Sequence, residues 1–267
     1  MTTVRICLAL VAANLRAELQ YRANFVLMLV VGLAWDGTAF LVIWVTLTHF
    51  HAIGGWSLSE LTFLYGLQLF SAGLTTLAFG FAQQNIFEWL VREGEFDRYL
   101  VRPLAPLLQL ITSRIHVPIL GSLLGSATLL LIGATHIHVE WSPLTVGYLG
   151  WAISGACLMQ AAIYLCVNSL VFRLLSVGML TNVIGDFSKY GNYPLKIYTG
   201  PVRFFLTFIL PQAFMGYFPV TVLLHRTGEL RVPSIVAYLS PLAGLLCVVP
   251  AYFLFTYQLR NYQSAGH

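Results

Sequence analysis

Five stretches of the chain, 25–50, 61–82, 115–135, 144–167 and 235–257, carry between them a single Asp, Glu, Lys or Arg, which is Asp36. Each has about the twenty residues that a helix rising about 1.5 Å per residue needs to cross a hydrocarbon core of about 30 Å. None alternates apolar and polar positions with a period of two, so the pattern predicts spanning helices and not barrel strands. A helix also satisfies its own backbone N–H and C=O groups, as lipid demands.

A further apolar region, 170–224, is interrupted by Asp186, Lys189, Pro194, Lys196, Pro201, Arg203, Pro211 and Pro219. Two arrangements of it keep the same parity. A crossing at 174–193 leaves Lys189, Lys196, Arg203, Arg226 and Arg231 at or beyond the outer surface, whereas a crossing at 201–224 leaves only Arg226 and Arg231 there. Prolines at membrane depth are tolerated where protein or a watery cavity covers the freed carbonyls, so a re-entrant hairpin bent near Pro211 fits as well. The expected fold is an all-α integral membrane protein of six transmembrane helices.

Ahead of the first span, Val4, Leu8, Val11, Leu15 and Leu19 fall on one helical face, with Arg5, Arg16 and Gln20 on another. That pattern predicts an amphipathic helix over 1–23 lying in the membrane surface, with a short soluble helix packed on a partner as the alternative. Arg16, Glu18 and Arg22 follow the apolar run 6–13 at once, which argues against a secretory leader. Basic residues set the orientation, because short cytoplasmic loops retain them. Arg5, Arg16, Arg22, Arg92, Arg98, Arg102, Arg114, Arg173 and Arg260 fall on one side, and the opposite loops 49–59 and 136–143 hold no Lys or Arg. Both termini are therefore expected in the cytoplasm.

Composition agrees: 58% of residues are apolar and 9% charged, far from the roughly half-apolar usage of soluble domains. The net charge of +4 bears on lipid and partner surfaces, and nucleic acid is not an expected partner. Cys7, Cys157, Cys166 and Cys247 are scattered without metal or redox spacing and read as small apolar residues. His49 with His51, and His136 with His138, form two pairs in the outer loops, but no cysteine lies nearby and acidic company is limited to Glu60 and Glu140, so they are read as interfacial residues, not metal ligands. Most tryptophans stand near span ends, where they mark depth.

Charge is concentrated in 83–110, where Glu88, Arg92, Glu93, Glu95, Asp97, Arg98 and Arg102 surround Phe96 and Tyr99. Glu88 and Arg92 stand four apart in the favourable order for a helix pair, Gly94 should end that helix, and Pro103 and Pro106 stop the next. The segment reads as a stiff cytosolic elbow, and exposed aromatics among charges point to an interface, with a solvated loop as the alternative. Asp36 is costly in a span, so it either meets a polar or cationic part of a cargo or is capped inside the bundle. Asp186 and Lys189 are spaced to neutralise each other. Gly121 and Gly125 form a G-x-x-x-G pair that permits close helix packing, within or between subunits. No nucleotide-binding G-x-x-x-x-G-K-[ST] occurs.

The run Gly94-Glu95-Phe96-Asp97-Arg98-Tyr99-Leu100-Val101-Arg102-Pro103-Leu104 resembles the cytosolic segment of bacterial ABC-2 exporter permeases. Tyr193-Pro194, Ile197-Tyr198, Arg203, Phe208-Ile209-Leu210-Pro211 and Tyr217-Phe218-Pro219 are similar to that family's pattern before its last span. More narrowly the chain resembles the drug or viologen export branch. The resemblance implies one transmembrane domain over 1–267 in a prokaryotic inner membrane, acting as a pair with a like or paralogous permease. It implies two separate ATPase subunits that hold ATP and magnesium, so the chain itself needs no cofactor. Glu88, Arg92, Glu93, Gly94, Glu95, Phe96, Asp97, Arg98, Tyr99 and Arg102 would couple to the ATPase. Tyr193, Pro194, Arg203, Pro211 and Pro219, within 194–224, would form an exit segment, which favours the crossing at 174–193. A hydrophobic or amphipathic cargo, cationic where Asp36 meets it, would pass between. A membrane-embedded transferase using Asp36, Asp186 or the histidines lacks a convergent catalytic set, and an ion-coupled secondary transporter lacks a visible internal repeat.

Overall fold

The computed structural model describes residues 2–49, 52–83, 85–113, 116–174, 176–230 and 232–262. Arg114, Arg231 and His51, and the side chains of Val4, Cys7 and Leu8, lie outside that description. Among the described residues the protein is helical, with one isolated β-bridge between Ile53 and Trp56.

Five helices are long and apolar enough to cross a membrane. They are α2 (Arg22–His49), α3 (Leu58–Gln83), α7 (Val117–His136), α8 (Pro143–Ser169) and α14 (Ser240–Leu259). Local chemistry sets their starts. Pro143 follows the N-cap Ser142, whose hydroxyl accepts from the Thr145 N–H while the Ser142 N–H donates to Thr145 Oγ1, a reciprocal cap that fixes α8. Helix α1 (Thr2–Gln20) precedes α2, and its half-buried side include Val11, Asn14 and Leu15, with Arg16 and Gln20 exposed. Leu19, expected on the apolar face, is exposed.

Helices α2 and α7 approach at backbone distance. A Cβ on Gly121 would lie 2.0 Å from the Leu29 carbonyl oxygen, and one on Gly32 would lie 1.9 Å from that of Pro118. Gly121 is therefore spent on packing within the chain.

The two ends of the bundle differ in kind. At one end α4 (Ile86–Arg92), α5 (Asp97–Leu100), α6 (Pro106–Ser113) and α9 (Val171–Leu174) form a folded elbow. Helix α1 joins it through Asn14, whose amide donates to the Thr112 carbonyl at 2.9 Å, and the chain after α14 joins through Tyr262, whose hydroxyl donates to Asp97 at 2.9 Å. At the other end lie residues 52–57, the loop after α7 and the residues around 195–200, 224–230 and 232–233, which make a cap held by Arg226. That guanidinium pairs with Glu60 at 2.8 Å, donates to the Gly55 carbonyl at 2.9 Å and lies over the Trp56 ring.

The interrupted region resolves between these ends. Helix α10 (Gly178–Ser188) starts beside the elbow, a 3-10 turn (Lys189–Asn192) extends it, and Ile197 then meets Gly54 in the cap. Eleven α-helical and four 3-10 residues cover roughly 24 Å at about 1.5 and 2.0 Å per residue, short of a full hydrocarbon core. After it, α11 (Gly200–Phe204) with a π turn (Phe205–Ile209), and a second π turn (Ala213–Tyr217) with α12 (Phe218–Leu223), make a pair bent by 78°. Both outer ends of that bent hairpin meet cap residues, and its bend meets Gln68 and Ser188 inside the bundle, the geometry of a broken span or of a re-entrant loop. Its bend follows from Pro211, and the wider π spacing ahead of Pro219 makes room for a ring that would crowd the preceding turn. The helix expected to reach 235 at its start is divided: α13 (Ser234–Tyr238) is a separate short turn before α14.

Candidate functional site

The elbow is built from the inside. Phe87 on α4 meets Phe96 and Phe172, each with ring centres 5.4 Å apart, and Phe255 of α14 at 5.6 Å, while Phe96 meets Tyr262 edge-on at 5.3 Å. Phe96 is 0% exposed and Tyr99 is buried beside it. The expectation that these two aromatics face outward is thus corrected: they are the apolar core that makes the elbow rigid, drawn inward because burying two rings outweighs exposing them. Gly94 does end the first elbow helix, at φ +71°, a left-handed turn that suits glycine.

Glu88 is also redirected. It makes no helix-face ion pair with Arg92, which instead meets Glu93 at 3.3 Å. Its carboxylate accepts the Val177 N–H at 2.9 Å and the Ser176 hydroxyl at 2.8 Å, clasping the start of α10. The elbow is therefore bolted to the short helix that leads to the cap. Gln109 holds its far side, donating to the Tyr99 and Leu104 carbonyls at 2.8 and 2.7 Å.

What the elbow leaves outward is a charged rim around a few apolar side chains. Arg92, Glu93, Arg98 and Arg102 are exposed, Arg98 pairs with Glu95 at 2.9 Å, and Trp89, Leu100 and Val101, the last 83% exposed, stand among them. Such exposed pairs are worth at most about 1 kcal/mol and add little to stability.

Within the bundle a cavity of about 340 Å³ lies between α3, α8, α10 and the hairpin tip. Gln68, Ser71, Gln83, Gln160, Ser188 and Gln212 line it together with Asp36, Lys189, Tyr65 and Tyr164, among apolar side chains that include Leu69 and Met215. Asp36 is 7% exposed, and its carboxylate accepts the Ser122 hydroxyl of α7. It is a capped acid between two helices that also touches the cavity. Asp186 and Lys189 pair at 2.7 Å and are both exposed. Gln68 donates to Gln212 at 3.3 Å and Gln212 to the Ser188 hydroxyl at 3.0 Å, so one amide chain ties α3, the hairpin tip and α10. These glutamines went unremarked in the sequence, although a neutral amide inside an apolar run signals buried polarity on the same grounds as Asp36 does.

In the cap, Arg203 spreads its guanidinium over three carbonyls, those of Leu195 at 3.0 Å, Lys196 at 2.8 Å and Tyr198 at 3.0 Å. Pro194 is buried at the start of the 3-10 turn Leu195–Ile197, and Tyr193 is half-buried next to it. Pro211 marks the bend, and Pro219 is buried in the returning arm. Tyr193, Pro194 and Arg203 thus stand together at the cap, while Pro211 lies at the far tip of the hairpin. His49 and His136 turn their Nδ1 atoms toward carbonyls of their own helices, Val45 at 3.1 Å and Ile132 at 2.9 Å.

An all-helical bundle with five helices long and apolar enough to cross a bilayer is that of a multi-pass membrane protein. The family model described as ABC-2 family transporter protein matches residues 33–266, and the chain belongs to that family. No curated protein and no solved structure matches the chain. Family membership implies an ABC ATPase as partner and the lipid bilayer as surroundings.

Proposed function

We propose that this chain is the permease subunit of an ATP-driven exporter, pairing with a second permease and driven by two ATPase subunits that dock on the elbow and carry ATP and magnesium. The observation that carries the reading is the elbow itself: an aromatic core and the Glu88 clasp make it stiff, and its outward face offers Arg92, Glu93, Arg98 and Arg102 around exposed apolar side chains. Force applied there reaches α10 through Glu88 and α14 through Phe87 and Phe255.

In this reading the elbow end is cytoplasmic, together with both termini, in a prokaryotic cell membrane. Arg5, Arg16, Arg22, Arg92, Arg98, Arg102, Arg173 and Arg260 all belong to it. The basic residues of the cap are engaged there, Lys196 with Glu229, Arg226 with Glu60 and Arg203 with carbonyls. The short α10 is then the fifth crossing and the hairpin 194–224 a re-entrant exit segment. Helix α2 is the least buried of the long helices, which leaves a broad apolar side for the second permease and lipid. The reading takes in the drug or viologen export branch that the sequence resembles, with a hydrophobic or amphipathic cargo.

Arg98→Ala and Glu93→Ala test the docking face, because both side chains are exposed and neither holds the fold. Each is expected to lower co-purification of the ATPase several-fold with the melting temperature unchanged. Undiminished co-purification and ATP turnover in both variants would move the docking surface elsewhere.

A further inference from the structure

Helix α10 carries charge where a bilayer core offers none. Asp186 and Lys189 pair at 2.7 Å, yet their side chains are 72% and 70% exposed. Their neighbours fix the depth: the Ser188 hydroxyl accepts from Gln212 at the hairpin tip, and a Cβ on Gly191 would lie 2.5 Å from Gln68 Nε2. Gln68 stands about 15 Å along α3 from the cap end at Leu58, well inside a spanning helix. An ion pair open to hydrocarbon at that depth is costly, so charges placed there face protein or water.

The rest of that face follows a pattern. Met179, Asn182, Asp186 and Lys189 recur at three-four-three spacing and are all exposed, whereas Thr181 and Ile184 on the other face are buried. Lys189 keeps helical angles, φ −61° and ψ −28°, so the stripe runs unbroken to it. Such spacing is the seam of two helices wound together, where polar residues set register and copy number. Val183 and Tyr190, both exposed, flank it with apolar surface. A carboxylate and an ammonium three residues apart are also self-complementary. About a two-fold axis along the bundle, Asp186 of each copy meets Lys189 of the other, the lysine stem covering an offset of about 4.5 Å.

We infer that two copies of this chain meet along the α10 seam, joined by reciprocal pairs between Asp186 and Lys189. This pairing rests on the permease reading, in which α10 is a crossing, and narrows the second permease from a like or paralogous chain to a like one. Exposed Trp35 of α2 borders the same cavity as Lys189, so a copy seated on the seam also lies beside α2.

Two differently tagged copies of the full chain, expressed together without any ATPase, are solubilised and drawn down through one tag. Native copies are expected to co-purify. Asp186→Lys and Lys189→Asp each set like charges across the axis, and each is expected to lower self-association about tenfold or more. One copy of Asp186→Lys with one of Lys189→Asp restores both cross-pairs and is expected to associate as native copies do. The pair within each chain is broken in both variants, so that recovery cannot come from inside a chain. Should either variant fail to insert, Asn182→Cys in a chain lacking the four native cysteines reads the same seam, with copper phenanthroline and dissolved oxygen expected to link two copies through a disulfide. Native copies that stay apart, undiminished self-association in the single variants, no recovery when the two inserted variants are mixed, or an Asn182→Cys chain that stays unlinked would overturn the pairing, leaving water or a paralogue to shelter the stripe. ATPase co-purification is scored in a separate preparation, so loss of the seam leaves docking on the elbow standing, and loss of docking leaves the seam.

Discussion

Glu88 shows how one side chain changes meaning between sequence and structure. Its spacing from Arg92 reads as a surface helix pair worth a few tenths of a kcal/mol. In the fold its carboxylate holds the Val177 N–H and the Ser176 hydroxyl across the joint between elbow and α10. Hydrogen bonds to a charged group are worth about 1.5–3 kcal/mol, and their loss strands the buried Val177 N–H. Glu88→Ala is therefore expected to destabilise the chain by about 2–3 kcal/mol and to speed amide exchange at Val177 and in the first turn of α10. Unchanged protection at Val177 would show that the clasp does not hold that joint. Phe96 and Tyr99 were legible as important and illegible in direction, because a local run of charged and aromatic residues does not reveal that Phe172, Phe255 and Tyr262 come from distant segments to bury them.

At the scale of elements, the five long helices were written in the sequence by their length and lack of charge, with boundaries shifted by a few residues. The region 170–224 was legible only as a pair of alternatives. Helix α10 is too short to announce a crossing, and its 3-10 extension and the hairpin beyond depend on contacts with the cap. Those contacts centre on Arg203, whose planar fork reaches three carbonyls at the end of a 3-10 turn. A lysine is a point charge on a flexible stem and cannot cover that arc. Arg203→Lys is accordingly expected to behave nearly as Arg203→Ala, with faster amide exchange over 195–204 and a stability loss of about 1–3 kcal/mol. A lysine variant indistinguishable from the native chain would mean that charge alone, and not the fork, anchors the hairpin.

For the whole molecule the decisive asymmetry is between an elbow whose Arg92, Arg98 and Arg102 face outward and a cap whose Arg203 and Arg226 are turned into the fold, with Lys196 exposed. Short cytoplasmic loops retain Lys and Arg, and the bias counts basic residues, not net charge. A raw count over 189–231 therefore argued against placing that region outside. In the fold Arg226 is committed to Glu60, Glu229, Gly55 and Trp56, and Lys196 to Glu229, at the end of the bundle away from the elbow. If the elbow is cytoplasmic and the cap outside, the two ends must label from opposite sides. In a variant lacking the four native cysteines, Gly228→Cys occupies an exposed cap position with open space around its Cβ, and Val101→Cys occupies the 83%-exposed rim of the elbow. A membrane-impermeant maleimide is expected to label the first in right-side-out spheroplasts and the second only after permeabilisation. The reverse pattern would put the elbow outside the cell and away from any ATPase. Labelling of both only after permeabilisation would mean that α10 and its 3-10 extension do not carry the chain across.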